Sequence, residues 1–357
     1  MDKILAQGNE AVGWGALMAG CEAFFGYPIT PQNEVIEWFA REFPKRGKVF
    51  LQTHSETSSI NMLFGAAACG VRAMTSTASQ GYSLMLEGIS HMVNAELPGV
   101  IVLIQRGGPG MGTTQHSQMD YYSAKGGGHG GYKNIVLAPA SVQEVFDLVQ
   151  LAFYLADKYR NPVIVTMDAI IAQMRENLVL RKLDFGPLPP KEWAIRGKDK
   201  HKDGRRRLIL TTTGHAGGAH PTYLDLLDTL SKKFKEMEKE VRYEELYLDD
   251  AEVVVVAFGY CARVSMDAIE VARRKGIKVG LLRPITLWPF PKERVKRKRG
   301  SLFIVVEDNL GLMFEDVKEI VGDEATVRLV SSLDRHLKTA SGMIFPEKVL
   351  EKIEEAV

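Results

Sequence analysis

From residue 11 to residue 167 the chain alternates between helix-like stretches and short, mainly apolar runs. The helical stretches fall near Ala11–Glu22, Gln32–Phe43, Ile60–Cys69, Tyr82–Asn94 and Val142–Asp157. The apolar runs are Ala23–Tyr27, Val49–Gln52, Arg72–Ser76, Val100–Gln105, Asn134–Ala138 and Pro162–Met167. Continuous apolar strands are buried on both faces, and strands joined by helices pair in parallel. The pattern predicts a doubly wound α/β sheet, whose polar chemistry collects at the carboxyl ends of the strands.

Near Arg181 the composition changes: Pro187, Pro189 and Pro190 precede a nearly continuous basic stretch, Lys198 to Arg207, read as a solvated loop. Asp225 to Tyr243 reads as an amphipathic connector helix. A second βα series begins at Glu252, with strands at Val253–Phe258, Lys278–Leu282, Leu302–Glu307 and Thr326–Leu329. A chain of 357 residues is too long for one ordinary core. The expected fold class is α/β with two doubly wound parallel-sheet domains, residues 1–185 and 250–357, joined by a charged linker and connector helix at 186–249.

The residues at the predicted strand ends are specific. In Gly26-Tyr27-Pro28-Ile29-Thr30-Pro31 the prolines hold a polar turn extended, and Thr30 is expected to cap a helix with Pro31 at its first position. Glu56 follows the Val49–Gln52 strand and opens an Ala/Met/Leu-rich helix. It is either a ligand-facing carboxyl at a sheet edge or an ordinary first-turn acid favoured by the helix dipole. After Val100–Gln105 comes a long glycine-dense loop, Arg106 to Tyr132, with neither P-loop nor dinucleotide-binding spacing. Arg106 at its start is placed either to grip a carboxylate with two parallel hydrogen bonds or to serve a surface ion pair.

Composition excludes several classes. The formal charge of +1 argues against a nucleic-acid surface, and no apolar run approaches the length of a membrane span. The opening residues lack a signal-peptide core, so a cytoplasmic protein is expected. Cys21, Cys69 and Cys261 are isolated, read as buried structural thiols, and cannot form a cluster-ligating set. The histidines show no zinc-binding spacing.

Five segments in order resemble one family: Gly26–Pro31, Ser55-Glu56-Thr57, Met74–Gly81, Gln105–Gly110 and Leu281–Pro291. The chain resembles the alpha subunit of 2-oxoacid:ferredoxin oxidoreductases. The resemblance implies a thiamine diphosphate pyrimidine-binding domain followed by a transketolase C-terminal-like domain. It places the cofactor against Tyr27, Pro28, Ile29, Thr30, Glu56, Ser79 and Gln80, with Glu56 activating the pyrimidine. It assigns the substrate carboxylate to Arg106 and Thr30, and makes Glu56 and Arg106 the catalytic pair.

No Gly-Asp-Gly segment occurs, so the diphosphate and Mg²⁺ are expected on a partner beta subunit that also carries a 4Fe–4S cluster. A transketolase-like enzyme complete in one chain would need that segment itself. The resemblance further implies separate gamma and ferredoxin-like delta subunits, ferredoxin as electron acceptor and coenzyme A as acyl acceptor. The implied reaction is oxidative decarboxylation of a 2-oxoacid to acyl-CoA, CO₂ and reduced ferredoxin. Lys125–Pro139 looks most like the branched-chain (3-methyl-2-oxobutanoate) subgroup. The alternatives are 2-oxoglutarate as substrate, or a silent scaffold subunit.

Overall fold

The computed structural model describes residues 3–213, 220–298, 300–334 and 342–357. In chain order its strands are β1 (Lys3–Gln7), β2 (Ala23–Gly26), β3 (Val49–Gln52), β4 (Ala73–Ala78), β5 (Gly99–Gln105), β6 (Ile135–Leu137), β7 (Pro162–Asp168), β8 (Arg175–Val179), β9 (Tyr243–Leu246), β10 (Val253–Ala257), β11 (Val279–Pro284), β12 (Thr286–Trp288), β13 (Leu302–Val306) and β14 (Val327–Val330). The first large sheet has the order β12-β6-β7-β5-β4-β2-β3, and the second β14-β13-β10-β11-β9. β4, β5, β6 and β7 are buried at every position, as strands covered on both faces must be, and β4 buries Thr75, Ser76 and Thr77 beside its apolar residues. The architecture is α/β, with two helix-covered sheets.

Both sheets carry one antiparallel edge that the sequence pattern does not announce. β9 pairs antiparallel with β11, and β12 pairs antiparallel with β6. β12 therefore leaves the second series and completes the first sheet. β1 and β8 form a separate antiparallel pair. The connector helix is shorter than expected, Tyr223–Met237. Thr222 and Asp225 cap each other reciprocally at its start. Its end gives way to β9, where Glu244 and Glu245 reach Arg283 and Arg294.

Arg283 joins the two halves. Buried at 3% exposure, it makes two hydrogen bonds to Glu144, of 2.9 and 2.6 Å, and one of 2.8 Å to Glu244 on β9. Glu144 lies in the first turn of the helix Val142–Tyr159, which covers the first sheet. Because both acids are partly exposed, Arg283→Ala is expected to cost about 1.5 kcal/mol, the low end for charge-assisted hydrogen bonds. Chemical denaturation of the variant would measure it.

The cysteine expectation needs one correction. Cys21 and Cys261 are buried, and burial pushes the Cys21 thiol up to about 12. Cys69 is exposed, because it ends the helix Glu56–Ala68 instead of packing beneath it.

Candidate functional site

In the first sheet the chain steps outward from β2 to the edge strand β3, then returns past β2 to β4. The parallel strands β2, β3, β4 and β5 present their carboxyl ends at one edge. Tyr27–Thr30, Glu56, Ser79-Gln80 and Arg106 follow those four ends.

The turn after β2 is pinned from inside. The fully buried Gln32 side chain donates to the Tyr27 carbonyl at 2.9 Å and accepts from Ser76 at 2.6 Å. Asn9 donates to the Pro31 carbonyl at 2.9 Å. The expectation that Thr30 caps the helix is overturned: the helix starts at Asn33, and Gln32 occupies the cap position without a side-chain bond. The physical reason is the closed turn ahead of it, in which the Gln32 N–H donates to the Ile29 carbonyl at 3.1 Å. Thr30 and Pro28 stand exposed at the rim, with Tyr27 and Ile29 half-buried between them.

Glu56 opens the helix Glu56–Ala68, whose cap is Ser55, its hydroxyl accepting the Ser58 N–H at 3.2 Å. Glu56 is 4% exposed. No hydrogen bond or ion pair reaches its carboxylate from the described residues. A carboxyl so enclosed normally has a partner. It lies against the first turn of the helix Ser79–Asn94. A Cβ at Gly81 would stand 2.3 Å from Glu56 Oε1 and 2.1 Å from Thr77 Oγ1, so only glycine leaves room for the carboxyl.

Arg106 is 5% exposed. Its Nη1 donates to the Thr30 carbonyl at 2.9 Å, tying the end of β5 to the β2 turn. Its Nη2 sits 3.5 Å from the Met111 carbonyl, and its buried Nε has no partner among the described residues. The Ser79 hydroxyl accepts the Arg106 N–H at 3.0 Å and also bonds the Asp120 carboxylate. Gln80 donates to the carbonyls of Gly110 and Met111 at 2.7 and 3.0 Å, holding the glycine-rich loop down.

A cavity of about 410 Å³ opens between the halves, lined by Ser79, Gln80, Ser83, Arg106, Met119 and Asp120 on one side and Asn309, Leu310 and Leu312 on the other. It gathers Arg106, Ser79 and Gln80. Tyr27–Thr30 and Glu56 are not part of its wall; they adjoin through the Arg106–Thr30 bond and through Gly81. Asp120 was not singled out from the sequence, where it sits in an irregular loop with no periodicity to mark it.

The glycine-rich loop is more structured than its composition suggests. His116 bridges Arg106, and a helix forms at Tyr121–Gly126. The second half holds the loop: the Gln118 backbone N–H donates to the Asp308 carbonyl at 2.8 Å, and Asn309 donates to the Gln118 carbonyl at 3.0 Å. His116 Nδ1 meets the Asp308 carboxylate at 2.5 Å, and Tyr121 donates to Asp316 at 2.6 Å. A loop so tied presents the cavity wall as a rigid surface.

This edge combines an unpartnered buried carboxyl, an enclosed guanidinium and a roofed cavity, which together can hold a polar ring and an adjoining anion. Residues 14–222 match the family model described as pyruvate flavodoxin/ferredoxin oxidoreductase, thiamine diphosphate-binding. Residues 251–341 match pyruvate:ferredoxin oxidoreductase core domain II. The chain is 44% identical to the ketoisovalerate oxidoreductase subunit VorB of Methanothermobacter thermautotrophicus, over 98% of this chain and 97% of that one. The 2-oxoglutarate synthase subunit KorA of the same organism is 35% identical, over 99% and 98%. A solved 2-oxoglutarate:ferredoxin oxidoreductase from Magnetococcus marinus, with 2-oxoglutarate, coenzyme A and succinyl-CoA bound, superimposes with a TM-score of 0.83 at 26% identity. It covers 99% of this chain, which spans 65% of that longer one. Among the described residues, no helix is long and apolar enough to cross a membrane. The chain therefore belongs to the 2-oxoacid:ferredoxin oxidoreductase family, as an oxidoreductase subunit carrying that family's thiamine diphosphate-binding region.

Proposed function

We propose that the chain is the alpha subunit of a 2-oxoacid:ferredoxin oxidoreductase acting on branched-chain 2-oxoacids, with 3-methyl-2-oxobutanoate as its main substrate. The 2-oxoacid loses its carboxylate as CO₂, two electrons leave singly for ferredoxin, and the acyl group ends on the sulfur of coenzyme A. The observation that carries the reading is Glu56: a buried carboxylate at a strand end, without a partner among the described residues. It fits the ring nitrogen of an aminopyrimidine, with Gly81 leaving the space it needs. Tyr27, Pro28, Ile29 and Thr30 would line the cofactor on the β2 side, and Ser79 and Gln80 on the β4 side. Thiamine diphosphate, when bound, supplies the carbon nucleophile and the electron sink for decarboxylation.

The chain's own residues do the rest. Glu56 holds the proton at the pyrimidine nitrogen. Arg106 binds the substrate carboxylate next to Thr30. The tied glycine-rich loop excludes water. The division into a pyrimidine-binding unit (1–185), a linker with connector helix (186–249) and a transketolase C-terminal-like unit (250–357) belongs to the same proposal, and the two family matches support it.

The branched-chain preference is supported by the higher identity to the ketoisovalerate subunit than to the 2-oxoglutarate subunit. The cavity agrees: among the described residues Arg106 is the single cation on its wall, and Met119 on one side with Leu310 and Leu312 on the other give apolar surface for a substrate tail. Oxidation of 2-oxoglutarate would need a second cation, which the described lining residues do not supply. Gly-Asp-Gly is absent and the cysteines are scattered, so Mg²⁺, the diphosphate clamp and the 4Fe–4S cluster fall to a beta subunit, with gamma and delta subunits completing the assembly.

Two measurements test this. The chain purified alone should contain no iron and no thiamine diphosphate by elemental analysis and mass spectrometry; stoichiometric iron would end the subunit reading. Co-expressed with its partners, it should reduce ferredoxin with a kcat/KM for 3-methyl-2-oxobutanoate at least about tenfold above that for 2-oxoglutarate, the discrimination expected from about 1.4 kcal/mol of pocket contacts. The reverse preference would assign the 2-oxoglutarate activity instead, and a competent complex with no activity on either would indicate a scaffold.

A further inference from the structure

Asp120 is the second charged side chain on the cavity wall, and the mechanism above does not use it. Among the residues lining the cavity, Arg106 and Asp120 are the charged pair. They do not bond each other: the guanidinium is turned to the Thr30 and Met111 carbonyls, and the Asp120 carboxylate accepts from the Ser79 hydroxyl. Among the described residues, the groups packed around Asp120 include no other cation. Ser79 and the buried Tyr82 ring face it from the helix Ser79–Asn94, the Gln105 side-chain oxygen accepts its N–H at 2.9 Å from β5, and Ser123 bonds its carbonyl from the next turn. Across the cavity stand the uncharged Asn309, Leu310 and Leu312.

We propose that Asp120 takes up a proton when the anionic 2-oxoacid binds beside Arg106, so that the substrate meets a cation on one side and a neutral carboxylic acid on the other. The inference rests on the function proposed above. The empty cavity holds one carboxylate, Asp120, and one cation, Arg106, each bonded elsewhere. A substrate carboxylate on Arg106 brings a second anion into the enclosed space that Asp120 already shares, and the cost of holding two is relieved most readily by protonating Asp120. Ser79 accommodates either state without moving. With Asp120 ionised, the Ser79 hydroxyl donates to it. With Asp120 protonated, the acid donates to Ser79, whose own proton turns to the Arg106 carbonyl 3.2 Å away.

The sign of the pH dependence follows. Burial lifts Asp120 to about 6, with the Ser79 and Ser123 hydroxyls pulling it back. Above about pH 6 the empty site carries the carboxylate, so binding must draw a proton from solution and affinity falls about tenfold per pH unit. Below that value the acid is already neutral and affinity levels off.

The test uses the assembled complex and the unreactive analogue 2-hydroxy-3-methylbutanoate. Calorimetry in two buffers of different ionisation enthalpy, near pH 7.5, should register uptake of about one proton per analogue bound. Asp120→Asn, neutral at every pH and still a donor, should register none. In turnover, kcat/KM for 3-methyl-2-oxobutanoate should fall about tenfold per unit above about pH 6 in the native complex and stay level in Asp120→Asn. Analogue binding without proton uptake, or equal pH slopes in the two proteins, would overturn the proposal. If the Asn variant does not assemble, the calorimetry of the native complex decides alone. Failure of the function proposal looks different: no 2-oxoacid is bound or turned over at any pH, and this inference falls with it.

Discussion

Glu56→Gln in the assembled complex is expected to lower turnover by about 10²–10⁴-fold, the span for loss of a general acid–base group, while thiamine diphosphate content stays unchanged by mass spectrometry. Glutamine keeps the length and planarity of the side chain, so it occupies the same space against Gly81 and Thr77. It can still hydrogen-bond a ring nitrogen. What it loses is the proton that a carboxyl can give and take. An ordinary first-turn acid would leave a different record: turnover intact, with a few tenths of a kcal/mol of helix stability gone at most. Full activity in the Gln variant would remove Glu56 from the chemistry. Loss of cofactor together with activity would make it a binding group alone.

The residues that follow the strand ends were readable because their signals are local. Pro28 and Pro31 fix a turn through their own rings, and Glu56 and Arg106 each stand directly after a run of apolar residues whose strand character is plain. The sheet makes neighbours of segments far apart in sequence, and it does so by the rule that parallel strands end together.

What could not be read depends on distant partners. Thr30 reads as a helix cap by type and position, yet the helix starts later because Gln32 is drawn inward to Tyr27 and Ser76. The Ser76 contact lies 44 residues away and leaves no local trace. β12 is three residues long and joins the first sheet only because Trp288 and Thr286 find β6 across more than a hundred residues of chain. Asp120 belongs to a loop ordered by Asp308, Asn309 and Asp316 of the second half, and no pattern around it in the sequence suggests a cavity wall.

The same tethering decides how a change at Arg106 should be read. Arg106→Lys keeps the positive charge and loses the planar fork, so a two-bond grip on a carboxylate should weaken by about 1.5–3 kcal/mol, the range for hydrogen bonds to charged groups. That corresponds to about a 10- to 150-fold fall in kcat/KM for the 2-oxoacid. The guanidinium also has a structural bond, to the Thr30 carbonyl at 2.9 Å, while its contact with Met111 at 3.5 Å is marginal. A lysine ammonium can keep one carbonyl contact, so the stability cost should stay within about 1 kcal/mol, the net worth of one hydrogen bond. Arg106 acting only as a tie between β5 and the β2 turn would give the opposite pattern, a lowered melting temperature with kcat/KM intact. Because Thr30 is part of the tie, Thr30→Ala, which leaves its backbone carbonyl in place, serves as the control: it should preserve the Arg106 bond and the melting temperature. Measuring kcat/KM and thermal stability on the same preparations separates the two roles, and an Arg106→Lys complex with native kcat/KM would take Arg106 out of the substrate site.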